Sequence, residues 1–276
     1  MTRSAPEQFA VGVAVVTGGA SGIGLAFARA YAARGAHVVI GDIDEAAMSR
    51  VSGELSKAGA RVDCVRVDLR DAGSVANLGE VASGFGSLVA VCLNAGVTAT
   101  GSTVWETAEA TYDFVVGVNL RGLFHSIKTF VPLLVAQGGA ADLVITASMA
   151  GMVASPYSAV YAASKAGAIA LAKSLRAELR MAAPAIRVAL LNPGMVKTNL
   201  MLTSAAGLPS GTAMADDLVR GSHDALNQAG VDPDVAVSWA LRALHEGRFW
   251  ALPAAGDPFA AMLEAELAEL DAVNSG

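Results

Sequence analysis

Cysteine is scarce in this chain. Of 276 residues only Cys64 and Cys92 are cysteines, each inside an apolar strand-like run, with no CxxC spacing and no companion histidine. That excludes a disulfide-built scaffold, and both thiols read as buried groups in a reducing compartment, which implies a cytoplasmic protein. The four histidines, His37, His125, His223 and His245, lack ligand spacing, so no metal site is expected, and His37 reads as structural. Charged residues make up 16% of the chain and sum to −6 without a basic stripe, which sets nucleic acid aside as a partner. Long apolar runs are also missing. Mean hydropathy is +0.49, yet each run is broken by Gly, Ser or a charge well before spanning length, so the apolar character belongs to a core and no membrane role is expected. The polar start, MTRSAPEQFA, has no export-type hydrophobic region.

What the chain does have is alternation. Strand-like runs at 11–17, 37–42, 62–67, 88–96, 143–147 and 186–194, with a possible seventh at 248–253, are separated by helical stretches at 21–34, 45–57, 72–85, 106–135 and 158–181. Pro132 is expected to bend or end the fourth helix. Near-continuous apolar strands between amphipathic helices describe an α/β fold: a single doubly wound Rossmann domain over residues 1–276, with a central parallel sheet of about seven strands covered on both faces.

The turn after the first strand, TGGASGIG, puts Gly18, Gly22 and Gly24 just before a helix. Glycines let the backbone approach a pyrophosphate, and the free N–H groups at the helix start favour negative charge. The spacing is GxxxGxG, and Leu25 stands where the lysine of a nucleotide-triphosphate loop would be. Asp42 ends the second strand about 20 residues on, where an acid can accept hydrogen bonds from a ribose diol. A carboxylate there repels a 2′-phosphate, and neither the turn nor residues 43–45 offer a cation to bind one, so NAD is favoured over NADP. Asp68, ending the third strand, reads equally as an adenine contact or as a helix N-cap.

Residues 148–165, SMAGMVASPYSAVYAASK, carry the candidate chemistry. Tyr161 and Lys165 lie one helical turn apart on one face, so an ammonium can act on a phenol. A phenol is a poor base near neutrality, and lowering its pKa by ~3 units takes roughly 4 kcal/mol, which one lysine and a cationic cofactor can supply together. Ser148 ends an apolar strand beside them.

Taken together, TGGASGIG at 17–24, Asp42, Asp68, NAG at 94–96, Asn119 in VGVNLRG, Ser148, YAASK at 161–165 and PGMVKT at 193–198 resemble the short-chain dehydrogenase/reductase family. The resemblance implies a Rossmann-type domain that binds NAD(P) and moves a hydride between nicotinamide and a carbonyl or alcohol carbon. It implies Tyr161 as general acid or base and Lys165 as its partner and holder of the nicotinamide ribose. Ser148 would bind the substrate oxygen, and Asn119 a water that links Lys165 to solvent. It further implies that Ala20, Ser21 and Ile23 line the phosphates and ribose, with Ile43, Leu69 and Asn94, Ala95 and Gly96 along the adenosine side. Pro193, Gly194, Val196 and Thr198 would flank the nicotinamide. A homodimer or homotetramer, joined through the helices carrying Asn119 and Tyr161, is expected from the same source.

Substrate residues should follow Ser148, the fourth strand and Pro193. Met149, Val153, Tyr157, Met195, Leu200, Met201, Leu202 and Leu208 are candidates, and they favour a hydrophobic alcohol or ketone. Residues 195–230, Gly/Ala/Ser/Thr-rich at 203–215, read as a lid, with Lys197 and Arg220 the nearby cations. A tail at 257–272 puts Phe259, Met262, Leu263, Leu267 and Leu270 on one helical stripe, fit to dock on its own domain or a partner. Two other functions use the same residues: a redox-silent dinucleotide-binding regulator, and an epimerase or dehydratase with bound NAD. The intact Asn119, Ser148, Tyr161 and Lys165 set argues against the first.

Overall fold

A computed structural model describes residues 12–210, 212, 214–254 and 256–274. The polar N-terminal stretch with Val11, and Gly211 and Ala213 of the expected lid, lie outside the described residues. Strands β1 (Val13–Thr17), β2 (His37–Asp42), β3 (Val62–Arg66), β4 (Leu88–Leu93), β5 (Ala141–Thr146), β6 (Ile186–Leu191) and β7 (Trp250–Ala251) form one sheet in the order β3-β2-β1-β4-β5-β6-β7. Every pairing is parallel. The expected α/β architecture is therefore present, with the reversal of strand order between β1 and β4.

Side-chain alternation along the strands splits the core in two. Val13, Val15, Val39, Val91, Leu93, Leu143 and Ile145 face one layer, packed by α3 (Ala72–Gly84), α5 (Gly122–Gln137) and α6 (Ala159–Ala182). Ala14, Val16, Val38, Ile40, Ala90, Cys92 and Val144 face the other, covered by α1 (Gly22–Ala32), α2 (Glu45–Lys57) and α9 (Pro233–His245). Fully burying a Val or Leu side chain contributes about 1.5–3 kcal/mol, so the strands are held from both faces. Asp44 caps α2 by accepting from Ala47 N at 2.9 Å, and Asp71 caps α3 from Gly73 N at 2.8 Å.

The structure departs from expectation at several places. The expected fourth helix is three pieces: α4 (Glu109–Val116), a π-helical turn at Gly117–Arg121, and α5. Pro132 lies inside α5 and does not end it, because Phe130 and Leu134 on either side are fully buried and hold the helix to the sheet. Cys92 is buried as expected, but Cys64 is only half-buried, since β3 is an edge strand of the sheet. His37 pairs with Asp63 at 2.6 Å, in keeping with a structural role. After β6 come α7 (Leu200–Gly207), α8 (Asp216–Ala229) and α9, and the chain closes with α10 (Pro258–Asn274). Among the described residues no helix is long and apolar enough to cross a membrane, and no group of His, Cys, Asp and Glu could hold a metal ion.

Candidate active site

The loops after β1 and β4 meet at the point where strand order reverses. Thr17 Oγ1 accepts from Asn94 N at 2.9 Å and from Ala95 N at 3.3 Å, locking the two loops together. Gly18 has φ +64°, and a Cβ there would fall 2.8 Å from Ala95 Cα. Gly24 is tighter still, since a Cβ would stand 1.9 Å from the Gly18 carbonyl oxygen. The turn is thus wound too closely for a side chain at Gly18 or Gly24, which leaves its backbone bare there at the start of α1. Ser21 at its tip is exposed, and Ala20 is buried.

Asp42 is positioned by this turn and in return holds it. Its Oδ2 accepts from Ala20 N at 3.0 Å and its Oδ1 from Asp44 N at 3.1 Å. The carboxylate therefore sits at the end of β2 directly against the glycine turn, with Ile43 exposed beside it. Asp68 is not a helix cap, because Asp71 fills that position. Its carboxylate is clasped by the Arg70 guanidinium, with Nη2 to Oδ2 at 2.7 Å, which holds its pKa below the ordinary value. Leu69 is buried, and its carbonyl bonds His125 Nδ1 at 2.9 Å.

Asn119, Ser148, Tyr161 and Lys165 converge below Gly96. A Cβ on Gly96 would lie 3.1 Å from Lys165 Nζ and 3.3 Å from Asn119 Oδ1, so both polar ends face the loop after β4. The π-helical turn carries Asn119 inward, where it is buried: Oδ1 accepts from Val97 N at 2.8 Å, and Nδ2 donates to Val97 O at 2.8 Å and to Ser164 Oγ at 2.9 Å. A π-turn inserts one extra residue per turn and rotates the side chains after it, a distortion that 3.6-residue periodicity does not reveal. Its amide thus stitches the β4 loop to α6.

Lys165 is buried on the second turn of α6, with Nζ donating to Thr146 O at 3.2 Å and lying 5.8 Å from the centroid of the Tyr161 ring. Burial pulls its pKa from 10.5 down to about 8. Tyr161 is half-buried, and desolvation raises its phenol above the ordinary value while the Ser148 hydroxyl draws it down. The lysine and the phenol share a face as expected, and in the protein alone desolvation outweighs the hydrogen bond from Ser148. Ser148 is itself fixed, its Oγ donating to Pro193 O at 3.5 Å and accepting from Ala150 N at 3.2 Å.

On the far side, Val196 is buried and bridges to Val231, and Thr198 packs against Gly22, where a Cβ would meet its Cγ2 at 3.1 Å. Gly22, Thr198, Asn199 and Pro233 border a cleft of about 200 Å³. The turn and the PGMVKT segment are therefore neighbours.

The substrate candidates divide. Met149, Val153 and Met201 are packed into the interior, whereas Met195, Leu200 and Leu208 are half-buried and Leu202 is exposed. Tyr157 is exposed and has φ +61°, a left-handed backbone that costs about 1–2 kcal/mol and persists only where neighbours enforce it. Its carbonyl accepts from Gly101 N at 2.8 Å, and Ser158 Oγ donates to Thr100 Oγ1 at 2.7 Å, so its backbone, rather than its ring, ties the two loops. Lys197 and Arg220 are each engaged by an acid, Asp232 at 3.0 Å and Asp217 at 2.7 Å. Ser204 on α7 was not singled out by sequence, yet it is fully buried and accepts from Thr98 N at 2.9 Å, pinning the segment after β6 to the loop after β4. Thr17 and Ser164, inside the TGGASGIG and YAASK motifs, and Thr146, two residues before Ser148, were given no role of their own from sequence.

Comparison with known proteins agrees with this geometry. The short chain dehydrogenase family model matches residues 12–207. A 1-deoxy-11-beta-hydroxypentalenate dehydrogenase of Streptomyces exfoliatus is 41% identical over 212 residues, 75% of this chain and 76% of that protein. A cis-4-hydroxycyclohexanecarboxylate dehydrogenase of Sinomonas cyclohexanicum is 41% identical over 205 residues, 74% of this chain and 79% of that one. A short chain dehydrogenase/reductase of Burkholderia phymatum, solved in complex with NAD, superposes with TM-score 0.87 at 31% identity over 96% of each chain. With a glycine cradle at the switch point, a serine, tyrosine and lysine gathered beside it, and these likenesses, the chain belongs to the short chain dehydrogenase family and is a dinucleotide-dependent oxidoreductase acting on CH–OH groups.

Proposed function

We propose that the protein is an NAD-dependent dehydrogenase of a hydrophobic, alicyclic secondary alcohol, with Tyr161 as the general base. The observation that carries this reading is the convergence of Lys165 Nζ and Asn119 Oδ1 on Gly96, with Tyr161 and Ser148 alongside, at the carboxyl ends of the strands. The bare backbone of the glycine turn fits a pyrophosphate, and Gly18, Ala20, Ser21, Gly22, Ile23 and Gly24 would hold it. Asp42, already oriented by Ala20 N, would meet the adenosine ribose, and its charge favours NAD over NADP. Ile43, Asp68, Leu69 and Asn94 to Gly96 would flank the adenosine, and Pro193, Gly194, Val196 and Thr198 the nicotinamide. When bound, NAD supplies the hydride acceptor.

Tyr161 takes the hydroxyl proton as the carbinol C–H bond breaks, and Ser148 holds the oxygen by a hydrogen bond as it becomes a carbonyl. Lys165 stabilises the phenolate, and Asn119, through Val97 and Ser164, keeps the β4 loop and α6 in register for that transfer. The alicyclic preference rests on the two relatives, whose named substrates carry a hydroxyl on a carbon skeleton, and on the apolar Met195, Leu200 and Leu208. The whole chain would act as one domain, with residues 195–230 as its lid. Exposed Tyr112 and Phe124 on α4 and α5 suit a homo-oligomer joined through these helices. Unpaired thiols suit the cytoplasm. NADH absorbance with cyclohexanol, cis-4-hydroxycyclohexanecarboxylate and bicyclic alcohols tests the reading. Net NADH formation supports it; its absence with every alcohol, alongside tight NAD binding, contradicts it.

A further inference from the structure

Helix α10 lies beyond residues 12–207 that match the family model, yet two contacts tie it to the loops on either side of Ser148. Asp257 caps the helix, Oδ1 accepting from Phe259 N at 2.9 Å, and the same carboxylate presses on Gly194: a Cβ there would stand 2.3 Å from Oδ2 and 2.5 Å from Oδ1. The neighbouring Pro193 gives its carbonyl to Met149 N at 3.0 Å and to the Ser148 hydroxyl. The start of α10 is thus one residue away from what positions Ser148. Further along the helix, Glu266 Oε1 accepts from Ala154 N at 2.7 Å, in the loop that leads from the turn at Met149–Gly151 to α6.

Glu266 is out of place by composition. At 100° per residue it falls inside the stripe of Phe259, Met262, Leu263 and Leu270, where an apolar side chain would continue the pattern. Phe259, Leu263 and Glu266 are the half-buried members, while Met262, Leu267 and Leu270 are exposed. The Ala154 amide meets this half-buried acid at the surface, so the bond joins α10 to the loop before α6 without burying the charge.

We infer that α10 is a strap across the two loops beside Ser148 and that Glu266 is a positioning residue: its bond to Ala154 fixes residues 149–157, and with them the shape of the substrate pocket, while Asp257 seats the other end on Gly194. The kinetic part of this inference rests on the dehydrogenase reading above; the mechanical part does not. Both are tested in the full-length protein with Glu266→Ala and Glu266→Gln. Amide hydrogen exchange over 149–158 should quicken by about fivefold or more in Glu266→Ala and stay near the unmutated rate in Glu266→Gln, whose carbonyl can also accept from Ala154. With cyclohexanol and NAD, KM for the alcohol should rise about five- to tenfold in Glu266→Ala, with kcat and KM for NAD within about twofold. Unchanged exchange in Glu266→Ala overturns the strap, and quickened exchange with an unchanged KM for the alcohol overturns its role in substrate positioning. If no alcohol is oxidised by the unmutated protein, the dehydrogenase reading falls, and exchange alone still decides the strap.

Discussion

Replacing Lys165 by methionine should make the protein more stable at pH 7 while abolishing its chemistry. The side chain is 4% exposed, and burial lowers its pKa from 10.5 to about 8. At pH 7 the lysine is charged in both states, so the folded protein bears the cost of burying that charge, about 3 kcal/mol at 1.36 kcal/mol per pK unit. The sign follows from proton counting. Between pH 8 and 10.5 the unfolded chain holds the proton and the folded one does not, so the lysine's penalty is full below pH 8 and fades as pH rises toward 10.5. Methionine has similar volume and no charge, and it forfeits the bond from Nζ to Thr146 O, worth about 1 kcal/mol. The net gain is about 2 kcal/mol at pH 7. Urea unfolding followed by circular dichroism at pH 7 and pH 9.5 measures it. The variant's advantage should shrink by about 2 kcal/mol over that interval. A Lys165→Met protein less stable than the parent at pH 7, or a difference that does not move with pH, would refute the reasoning.

Three further outcomes follow from the same geometry. Asp42→Ala frees Ala20 N and Asp44 N and should weaken NAD binding by about tenfold or more while relaxing discrimination against NADP, measured by fluorescence titration; tighter NADP than NAD binding in the unmutated protein would end the NAD preference. Asn119→Ala leaves Val97 N, Val97 O and the Ser164 hydroxyl short of a partner and should cost about 2–4 kcal/mol of stability by chemical denaturation, so a variant of parental stability would deny the amide its stitching role. Desolvation holds the phenol of the cofactor-free protein above its ordinary value, so difference absorbance against Tyr161→Phe should show Tyr161 ionising at higher pH than a free tyrosine, and ionisation within or below the ordinary range would contradict that burial.

The sheet and the glycine turn were readable because their causes are local. The unbroken apolar run of Val13–Val16 dictates a strand buried on both faces, and the glycines at 18 and 24 are imposed by contacts within the turn and the loop it touches. Asp42 was found from its place at a strand end, although its hydrogen bonds to the turn that it partners were not. Elements shaped by distant packing were harder to read. The π-turn around Asn119 breaks a helix whose apolar spacing looks continuous, and Tyr157, with its left-handed backbone, is bonded to Gly101, which no local pattern announces. The same holds for Ser204 and Glu266, ordinary surface types whose partners, Thr98 and Ala154, lie over 100 residues away. Pocket-lining residues were the least legible, because Met149 and Val153 serve the interior and a hydrophobic residue looks the same whether it packs a core or faces a ligand.

The central claim is that Tyr161 moves the proton. Tyr161→Phe removes one oxygen atom from a ring whose surroundings, Lys165 and Ser148 included, are otherwise kept. Turnover of an alcohol that the unmutated protein oxidises, followed by NADH absorbance, should fall by about 10²–10⁴-fold. NAD affinity, measured by calorimetry on the same preparation, should change by less than about threefold, since Lys165, Asp42 and the glycine turn are kept. A Tyr161→Phe protein that keeps its turnover would contradict the account at its centre.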